Sequence, residues 1–505
     1  MIKISIITVF PELHENFINT SLIQRAVKQE IIQFNLVRFS DMCQPKERID
    51  EPTVGHGAGM IIKPEVIQKA IDQCQEKWGS GFKIFFSPQG QRLDQRKLSN
   101  IYKKLISRDQ NQQDQTGKSN QGQAIVSAPI STTEPFPESD ASPIGDGSTS
   151  SPRARQLDGT LPEPIEGCEL QKRYTESDLH LILICSRYEG IDERVESFYA
   201  DMTVSIGDYV LMGGDLPAQV FLEGLLRLIP NVVGKTASVE NESFQGAFFD
   251  HPEYGLPVEW NQLKIPDVLR SGNHKQIAIW RKEQAVKKTI LNRFDWIQES
   301  HPDETDLELC RKFIPNHYVV IMHSQVIVGD GHKVGHTSVA SIDIHDIARS
   351  CKTYGIKNFF IVTQLEDQFK IVNTFFDFWH SKKGKDYNLS RYNAIESVIL
   401  TKSFESVREQ IKQKENLDPI IITTSAKSHG NGVKIDYFSQ GLVWQENRPV
   451  LIVFGTGQGL SDEIMDQSNF ILTPVRGLTS YNHLSVRSAA AVILDRWLGL
   501  NSKVE

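Results

Sequence analysis

The sequence predicts an α/β protein with two parallel-sheet domains. Three observations support this fold class. Apolar, strand-like runs alternate with helix-like stretches from the N-terminus, the same alternation begins again near Pro315, and a polar segment interrupts the first half. Strands that alternate with helices are typical of a parallel sheet covered on both faces. A chain of 505 residues also exceeds what one hydrophobic core usually supports, so at least two domains are expected.

The first half supplies its elements in turn. Apolar runs predict strands at 3–10, 34–39, 82–86 and 181–185, and apolar residues at helical spacing predict helices at 12–28, 63–78 and 218–228.

Between these elements, residues 108–178 are rich in Gln, Ser, Thr, Pro, Gly and Asp. Such a composition buries too little apolar surface to offset the entropy of ordering, so we expect a disordered insert. The chain on either side resembles half a sheet, which favours an insertion within one domain over a linker between two.

The expected domains follow from this pattern. The first sheet domain takes residues 1–107 and 179–235, a loop and a small helical, RNA-binding part take 236–312, and the second sheet domain takes 316–505. In the second domain, strands are expected at 318–322, 358–363, 419–423, 450–454 and 469–472, and helices at 342–354 and 484–498.

Composition narrows the class of protein. Hydrophobic content of 39% is ordinary for a soluble protein, and no run of eighteen apolar residues indicates a membrane span. The six cysteines have no CxxC spacing, which favours neither a disulfide framework nor a zinc site and fits a reducing cytoplasm. The net charge of −8 means that any nucleic-acid site must be a local patch.

The best candidate site follows the apolar run 181–185. The string SRYEGIDERV places five charged residues directly after that run, and SIGDYVLMGGDLPAQ then brings three glycines that let backbone approach a ligand closely. Pro217 lies where the first turn of a helix tolerates proline. Charged and glycine-rich loops at the carboxyl ends of strands predict a ligand pocket, although a glycine-rich turn between two core elements is the alternative.

A basic stretch offers a candidate contact with a phosphate backbone. Residues 274–293 carry six basic side chains against the single acid Glu283. A solvated helix face is the alternative interpretation. The basic residues are Lys275, Arg281, Lys282, Lys287, Lys288 and Arg293.

Another glycine string, GTGQG at 455–459, follows a strand and invites comparison with dinucleotide-binding loops. Its spacing is GxGxG rather than GxGxxG, and no acidic residue follows at the expected distance, so a nicotinamide-dependent oxidoreductase is disfavoured.

Four motifs together carry a resemblance. SPQG, RYEGIDERV, SIGDYVLMGGDLPA and SGNH resemble the bacterial tRNA (guanine-N1)-methyltransferase family, from the N-terminus to about Arg293 apart from the insert. The resemblance implies a trefoil-knotted fold of the SPOUT superfamily, S-adenosylmethionine as methyl donor and a homodimer through the first domain. It also implies methylation of N1 of the guanine 3′ of the anticodon (position 37) in tRNA, and Mg²⁺ is a further candidate cofactor.

The resemblance also implies roles for individual residues. Those expected around the methyl donor are Phe85, Phe86, Ser87, Pro88, Gln89, Gly90, Ser186, Arg187, Tyr188, Glu189, Ile206, Gly207, Tyr209, Val210, Leu211, Gly213, Gly214 and Pro217. Those expected on the substrate side are Glu189, Asp250, Ser271, Lys282 and Lys287.

Two residues are expected to act in the reaction. Glu242, in NESF, occupies the place of the family's catalytic aspartate and is the predicted general base, and Arg227 matches an arginine near the reacting base. Asp201 and Glu240 are less favoured substitutes for the base. Ser186 also stands where the family has glycine. Because of these two departures, an RNA-binding module with decayed catalysis is the alternative function.

The second domain resembles another branch of the same superfamily. SIDIHDIARSCKTYGI, VFGTGQGL and LTPVRGLTSYNHLSVRSAAAVILDRW correspond to its three motifs, with Asp343 in place of the usual asparagine. The resemblance implies donor binding and leaves the substrate open. His345 and Asp346 belong either to this site or to an ordinary helix face. The implied site residues are Arg349, Gly455, Gly457, Asn482 and Ser485.

Overall fold

The structure is a computed structural model that describes residues 1–55, 57, 59–103, 179–233, 243–329, 333–426 and 430–501. The predicted insert at 108–178 and the predicted base Glu242 lie outside these residues, as does Glu240. Contacts divide the chain into two compact units, Met1–Thr236 and Ala237–Glu505. Among the described residues, no helix is both long and apolar enough to cross a bilayer.

The part of the first unit that the structure describes has seven strands, which are β1 (Ile2–Thr8), β2 (Ile32–Arg38), β3 (Asp50–Pro52), β4 (Met60–Ile62), β5 (Phe82–Arg92), β6 (His180–Ile184) and β7 (Met202–Ser205). Its helices are Pro11–Ile18, Ser21–Lys28, Pro64–Trp78, 95–103, Glu193–Tyr199 and Asp215–Arg227, with a 3₁₀ turn at Phe39–Met42.

Five of these strands form one wholly parallel sheet in the order β2–β1–β6–β5–β7, and β3 and β4 form a separate antiparallel pair. Because side chains alternate between the faces of a strand, Ile4 and Ile6 enter one hydrophobic core and Ile7 enters another on the opposite face. Both faces are therefore covered, as expected for a parallel sheet.

The single helix predicted at 12–28 is wrong, because two helices meet there. The side chains of Asn19 and Thr20 donate hydrogen bonds back to the carbonyl oxygens of Glu15 and Asn16, at 2.9 and 2.8 Å. Such local bonds compete with continuation of the helix.

The second unit has eleven strands among the described residues, which are β8 (Glu259–Trp260), β9 (Leu263–Lys264), β10 (His317–Met322), β11 (Ser324–Val328), β12 (Lys333–His336), β13 (Asn358–Val362), β14 (Val398–Thr401), β15 (Ile420–Thr424), β16 (Val433–Ile435), β17 (Val450–Gly455) and β18 (Phe470–Leu472). Its helices are Asp267–Arg270, His274–Asn292, Phe294–Ser300, Glu304–Phe313, Ser341–Thr353, Glu366–His380, Lys382–Tyr387, Leu389–Ile395, Phe404–Glu415, Gln440–Trp444, Asp462–Met465 and Val486–Leu498.

Seven strands form the second sheet, in the order β14–β13–β10–β17–β15–β18–β16, and every pair is parallel. Two wholly parallel sheets confirm the predicted α/β class. The knot in the chain path stays a prediction.

The helices between 274 and 313 pack on this second sheet. Val286, Ile290 and Phe294 are buried in the same hydrophobic core as Val319 of β10 and Ile452 of β17. The predicted helical part therefore lies, by its contacts, within the second unit. RNA binding by these helices stays a prediction.

Candidate functional site

The pairing between strands β5 and β7 is interrupted for four residues of β5. Phe86 and Gln91 both pair with Val204, so residues 87–90 project from the sheet. A Cβ at Gly90 would lie 2.7 Å from backbone atoms of Thr203 and Val204. Glycine is therefore required at the base of this projection, because a side chain would push it away from β7.

The charged loop begins directly after β6. The amide of Cys185 donates to Ile7 at 2.9 Å, and the hydroxyl of Ser186 donates to the carbonyl oxygen of Phe86 at 3.2 Å. Ser186 therefore ties this loop to the base of the β5 projection, so the structure accommodates a serine where the resemblance leads one to expect glycine.

Two adjacent glycines hold the third loop against the second. A Cβ at Gly214 would lie 2.8 Å from the backbone nitrogen of Ser186, and a Cβ at Gly213 would lie 2.5 Å from the side chain of Arg187. The amide of Gly214 also donates to the carbonyl oxygen of Ser186 at 2.7 Å. A side chain at 214 would thus separate two loops that are in backbone contact.

The three loops enclose a cavity of about 350 Å³ at the carboxyl ends of β5, β6 and β7. This volume lies within the usual range for small-molecule sites. Every residue predicted around the methyl donor lines the cavity except Gly90, which supports the projection from behind. Six further lining residues were not predicted, namely Gly190, Ile191, Glu193, Glu196, Val204 and Ser205.

The cavity wall carries more negative than positive charge. Glu189, Glu193 and Glu196 line it, and Arg187 is the one basic side chain among the described lining residues. Glu193 and Glu196 lie three residues apart on the helix that follows the charged loop, so a predicted helix start at 193 could have found them.

Arg187 braces the cavity from one side. Its Nε and one terminal nitrogen both lie 2.9 Å from Oδ2 of Asp215, and its other terminal nitrogen donates to the carbonyl oxygen of Met212 at 3.2 Å. The guanidinium also lies over the ring of Phe10, 4.8 Å from its centroid. Arg187 therefore links the glycine loop to the segment that follows β1.

The acidic partner in this brace is buried. Asp215 is 1% exposed, and its Oδ1 accepts from the hydroxyl of Thr8 and lies 3.1 Å from Nε2 of the fully buried His14. Burial alone would raise the pKa of Asp215, but the hydrogen bonds with His14 and Thr8 and the charge of Arg187 outweigh it, so the pKa lies below its usual value. Asp215 is therefore a carboxylate at neutral pH.

His14, Cys185 and Asp215 bring three metal-ligand types within 4.8 Å of one another. Burial and the charge of Asp215 raise the pKa of Cys185 well above its usual value, so its thiol is protonated. Arg187 already neutralises Asp215. This set does not fit Mg²⁺, which prefers oxygen ligands, and we assign it to structural support.

Among the predicted reaction and substrate residues that the structure describes, Arg227 belongs to the first unit and Asp250 to the second. Arg227 is exposed at the end of helix Asp215–Arg227 and does not line the cavity. Asp250, in the second unit, accepts from the backbone of His251 at 2.8 Å, and its Oδ1 lies 2.7 Å from Nδ1 of the same residue. Asp201 is the less favoured alternative for the base. Its Oδ2 accepts hydrogen bonds from the backbone amide of Lys83 at 2.8 Å and from Nζ of Lys83 at 3.3 Å, which favours a structural role.

The basic helix is His274–Asn292. Lys282 pairs with Asp306 at 2.9 Å and Arg281 lies 3.7 Å from Glu253, and both are exposed, as are Lys287 and Lys288. Ser271, just before this helix, donates to the carbonyl oxygen of Val268 at 2.7 Å. These pairings modestly reduce the positive field of the helix without removing it.

The second unit has its own cavity, of about 440 Å³, at the carboxyl ends of β10, β15, β17 and β18. Gly455, Gly457, Asn482 and Ser485 line it as predicted, and the exposed Arg349 does not. His345 packs on the rings of Phe375 and Trp379, each 5.0 Å away, which favours the helix-face interpretation.

His323 also lines the second cavity, and no pattern in the sequence predicts it as a site residue. His323 is 1% exposed and directly follows β10. A lone histidine after an apolar strand carries no local signal that separates a core residue from a site residue.

The fold and the two sites define the class of protein. Two wholly parallel sheets, each with glycine-containing loops around a cavity at the carboxyl ends of its strands, define an α/β protein with two cavities of small-molecule size.

Comparison with known proteins identifies the family. Residues 2–106 and 167–299 match the family described as tRNA (Guanine-1)-methyltransferase TrmD, and residues 316–499 match a family described as SAM-dependent RNA methyltransferase.

Three relatives are each named tRNA (guanine-N(1)-)-methyltransferase. The Nitratidesulfovibrio vulgaris protein is 38% identical over 324 residues, which cover 63% of this chain and 75% of that protein. The Oleidesulfovibrio alaskensis protein is 37% identical over 66% of this chain and 78% of its own length. The Thermosipho melanesiensis protein is 32% identical over 62% of this chain and 99% of its own length. The chain belongs to the tRNA (guanine-1)-methyltransferase family, and the predicted resemblance is confirmed.

Proposed function

We propose that the chain methylates N1 of the guanine 3′ of the anticodon, position 37, in tRNA, with S-adenosylmethionine held in the cavity of the first unit. The observation that carries this proposal is the convergence of three separate sequence motifs on that cavity. Family membership and the names of the relatives support the reaction class.

The cavity residues fit the donor chemically. S-adenosylmethionine carries positive charge on its sulfonium and its ammonium, and Glu189, Glu193 and Glu196 offer carboxylates to that charge. Backbone groups of the glycine loop can bond an adenine edge without side chains, and Phe85, Leu211 and Pro217 supply apolar contact. When bound, the donor supplies an electrophilic methyl group.

The reaction requires a base, because N1 of guanine carries a proton that must leave as the methyl group arrives. Glu242 is the proposed acceptor of that proton, and Arg227 is proposed to act beside the reacting base. Glu189 is proposed to hold the guanine by accepting a hydrogen bond from its exocyclic amine, with Asp250 as a second carboxylate on the substrate side. Methyl transfer then yields N1-methylguanine and S-adenosylhomocysteine.

RNA contact is proposed for the basic helix, through Lys282 and Lys287, with Ser271 at its start. The homodimer is proposed to form through the first unit. In that unit, apolar side chains stand exposed on the glycine loop and on helix Asp215–Arg227, among them Val210 at 85%, Met212 at 88% and Val220 at 50%. Exposed apolar side chains so grouped are typical of an interaction surface.

The second unit is proposed to bind S-adenosylmethionine in its own cavity and to methylate an RNA. Its family match and the lining of the cavity by Gly455, Gly457, Asn482 and Ser485 support this proposal. The target nucleotide is open.

Single-turnover methyl transfer to purified tRNA tests the proposed base. Glu242→Gln is expected to slow transfer by roughly 10²–10⁴-fold, the usual contribution of a positioned acid or base. Donor and tRNA affinity should hardly change, because the residue acts on the departing proton. Glu242→Asp restores the family residue and serves as the matched variant. A Glu242→Gln protein with the full single-turnover rate would show that another group is the base. If wild-type protein methylates no tRNA, the decayed-enzyme alternative holds.

A further inference from the structure

One buried nitrogen in the wall of the second cavity lacks a partner. His323 is 1% exposed and lines the cavity, and its Nε2 has no hydrogen-bond partner among the residues that the structure describes. A buried polar atom is nearly always bonded, so an orphan beside a cavity is available to a group that enters the cavity.

A chain of hydrogen bonds determines which ring nitrogen carries the proton. The hydroxyl of Thr456 donates to the carbonyl oxygen of Met322 at 2.7 Å, so it must accept from Thr337, 2.6 Å away. Thr337 has then used its only proton and must accept from Nδ1 of His323, at 3.0 Å. Nδ1 therefore bears the hydrogen, and Nε2 keeps a free lone pair.

The same wall offers a second acceptor. Asp343 also lines the cavity, and its Oδ1 accepts from Arg487 at 3.0 Å. Burial lowers the pKa of His323 to about 4, against the opposing effects of the Asp343 carboxylate and of the backbone of Ser338 beside the ring, so the imidazole is neutral at pH 7. A free lone pair can accept a hydrogen bond but cannot donate one, so this part of the wall matches an N–H group of a ligand.

We propose that Nε2 of His323 accepts a hydrogen bond from an N–H group of the ligand in the second cavity, with Asp343 as the second acceptor for that group. This inference rests on the proposed function of the second unit and specifies how its site recognises a ligand. The N–H group has two possible sources: the ammonium of the donor's amino-acid part and the N–H edge of the target base.

The test uses the full chain with the first cavity blocked by Gly214→Val, so that titrations report on the second unit. His323→Phe keeps a ring of similar size and removes the acceptor, and His323→Gln is the matched control because its amide oxygen can accept in place of Nε2. Calorimetry is performed with S-adenosylhomocysteine and with 5′-methylthioadenosine, which lacks the amino-acid part. A third readout is transfer of labelled methyl groups from S-adenosylmethionine to total cellular RNA.

If the ammonium is the source, His323→Phe should weaken S-adenosylhomocysteine binding by about tenfold to a hundredfold, the usual effect of losing a hydrogen bond to a charged group. Binding of 5′-methylthioadenosine should not change. If the target base is the source, neither nucleoside should change in affinity, and methyl transfer to RNA should fall by a similar factor. In both cases His323→Gln should stay within a few fold of the parent.

The inference is overturned if a folded His323→Phe protein keeps all three properties. If that variant does not fold, Asp343→Ala serves with the same readouts, since it leaves the buried histidine in place and removes the second acceptor. The proposed function fails separately, and the inference with it, if the blocked parent protein binds no S-adenosylhomocysteine at all.

Discussion

Acidification is expected to destabilise the second unit, because His317 is held neutral in its core. His317 is 3% exposed, and the indole nitrogens of Trp444 and Trp497 both donate to its Nε2, at 3.2 and 3.1 Å. Its Nδ1 donates to the carbonyl oxygen of Pro315 at 2.7 Å. A proton on Nε2 would displace both indole donors, so the fold favours the neutral ring.

The size of the effect follows from the pKa of His317, which burial lowers from 6.5 to about 4. The difference, 6.5 minus 4, corresponds to roughly 3 kcal/mol at 1.36 kcal/mol per pKa unit. Between these two pH values the unfolded chain binds a proton that the folded chain does not. The stabilising contribution is therefore fully present above pH 6.5 and is lost as pH falls towards 4, with roughly 2 kcal/mol already lost at pH 5.

Denaturant unfolding at pH 7 and pH 5, followed by tryptophan fluorescence, measures this contribution. In His317→Gln the amide oxygen can still accept from the indoles, but the side chain does not titrate. The loss of unfolding free energy between pH 7 and 5 should be smaller in this variant by roughly 2 kcal/mol. His323, whose pKa is also lowered to about 4, titrates equally in both proteins. An identical loss in the two proteins would refute the assignment.

Three further predictions follow from the contacts. Asp215→Asn leaves Arg187 without its buried counter-charge, so it should lower the free energy of unfolding of the first unit by about 3 kcal/mol and weaken donor binding. Thermal unfolding and a donor titration that both match wild type would contradict a stabilising role for the Arg187–Asp215 ion pair. Alanine at all four of the positions Arg281, Lys282, Lys287 and Lys288 should weaken tRNA binding and flatten its salt dependence without changing donor affinity. Lys402→Ala, at an exposed position, is the control. An unchanged slope of binding against salt concentration would favour a solvated helix face. Val220→Glu places charge on the exposed apolar face of helix Asp215–Arg227, so the protein should sediment more as a monomer. A sedimentation-coefficient distribution equal to that of wild type would argue against a dimer through that face.

Local patterns in the sequence predict the strands of the first sheet except β7, those of the second sheet except β14 and β16, and most of the first cavity. An apolar run followed by a charged or glycine-rich loop is a local signal, and strand ends in a parallel sheet meet at one edge, so SPQG, SRYEG and the glycine loop could be expected to converge. The short antiparallel pair of β3 and β4 was not predicted, because three-residue strands have too little periodicity.

Contacts between distant residues could not be predicted in this way. His14 and Asp215 are 201 positions apart, and on its own helix His14 resembles any other helix residue. The partner that makes Arg187 a brace is visible only once β1 and helix Asp215–Arg227 are packed together. The same holds for His323, whose significance depends on Thr337 and Thr456.

If the first cavity serves methylation of guanine N1 in tRNA, the modified nucleoside must appear at a defined position of the tRNA, and that position can be mapped. The experiment incubates wild-type protein with S-adenosylmethionine and a tRNA that has guanine 3′ of the anticodon. Nucleoside analysis then identifies the product, and primer extension locates it in the tRNA.

Wild-type protein is expected to produce 1-methylguanosine at position 37, and Gly214→Val, whose new side chain meets the backbone of Ser186, is expected to produce none. Gly255→Ala, where an added Cβ has no neighbour within 4 Å, is the control that should behave as wild type. Absence of 1-methylguanosine with wild-type protein, or an equal amount with Gly214→Val, would contradict the account.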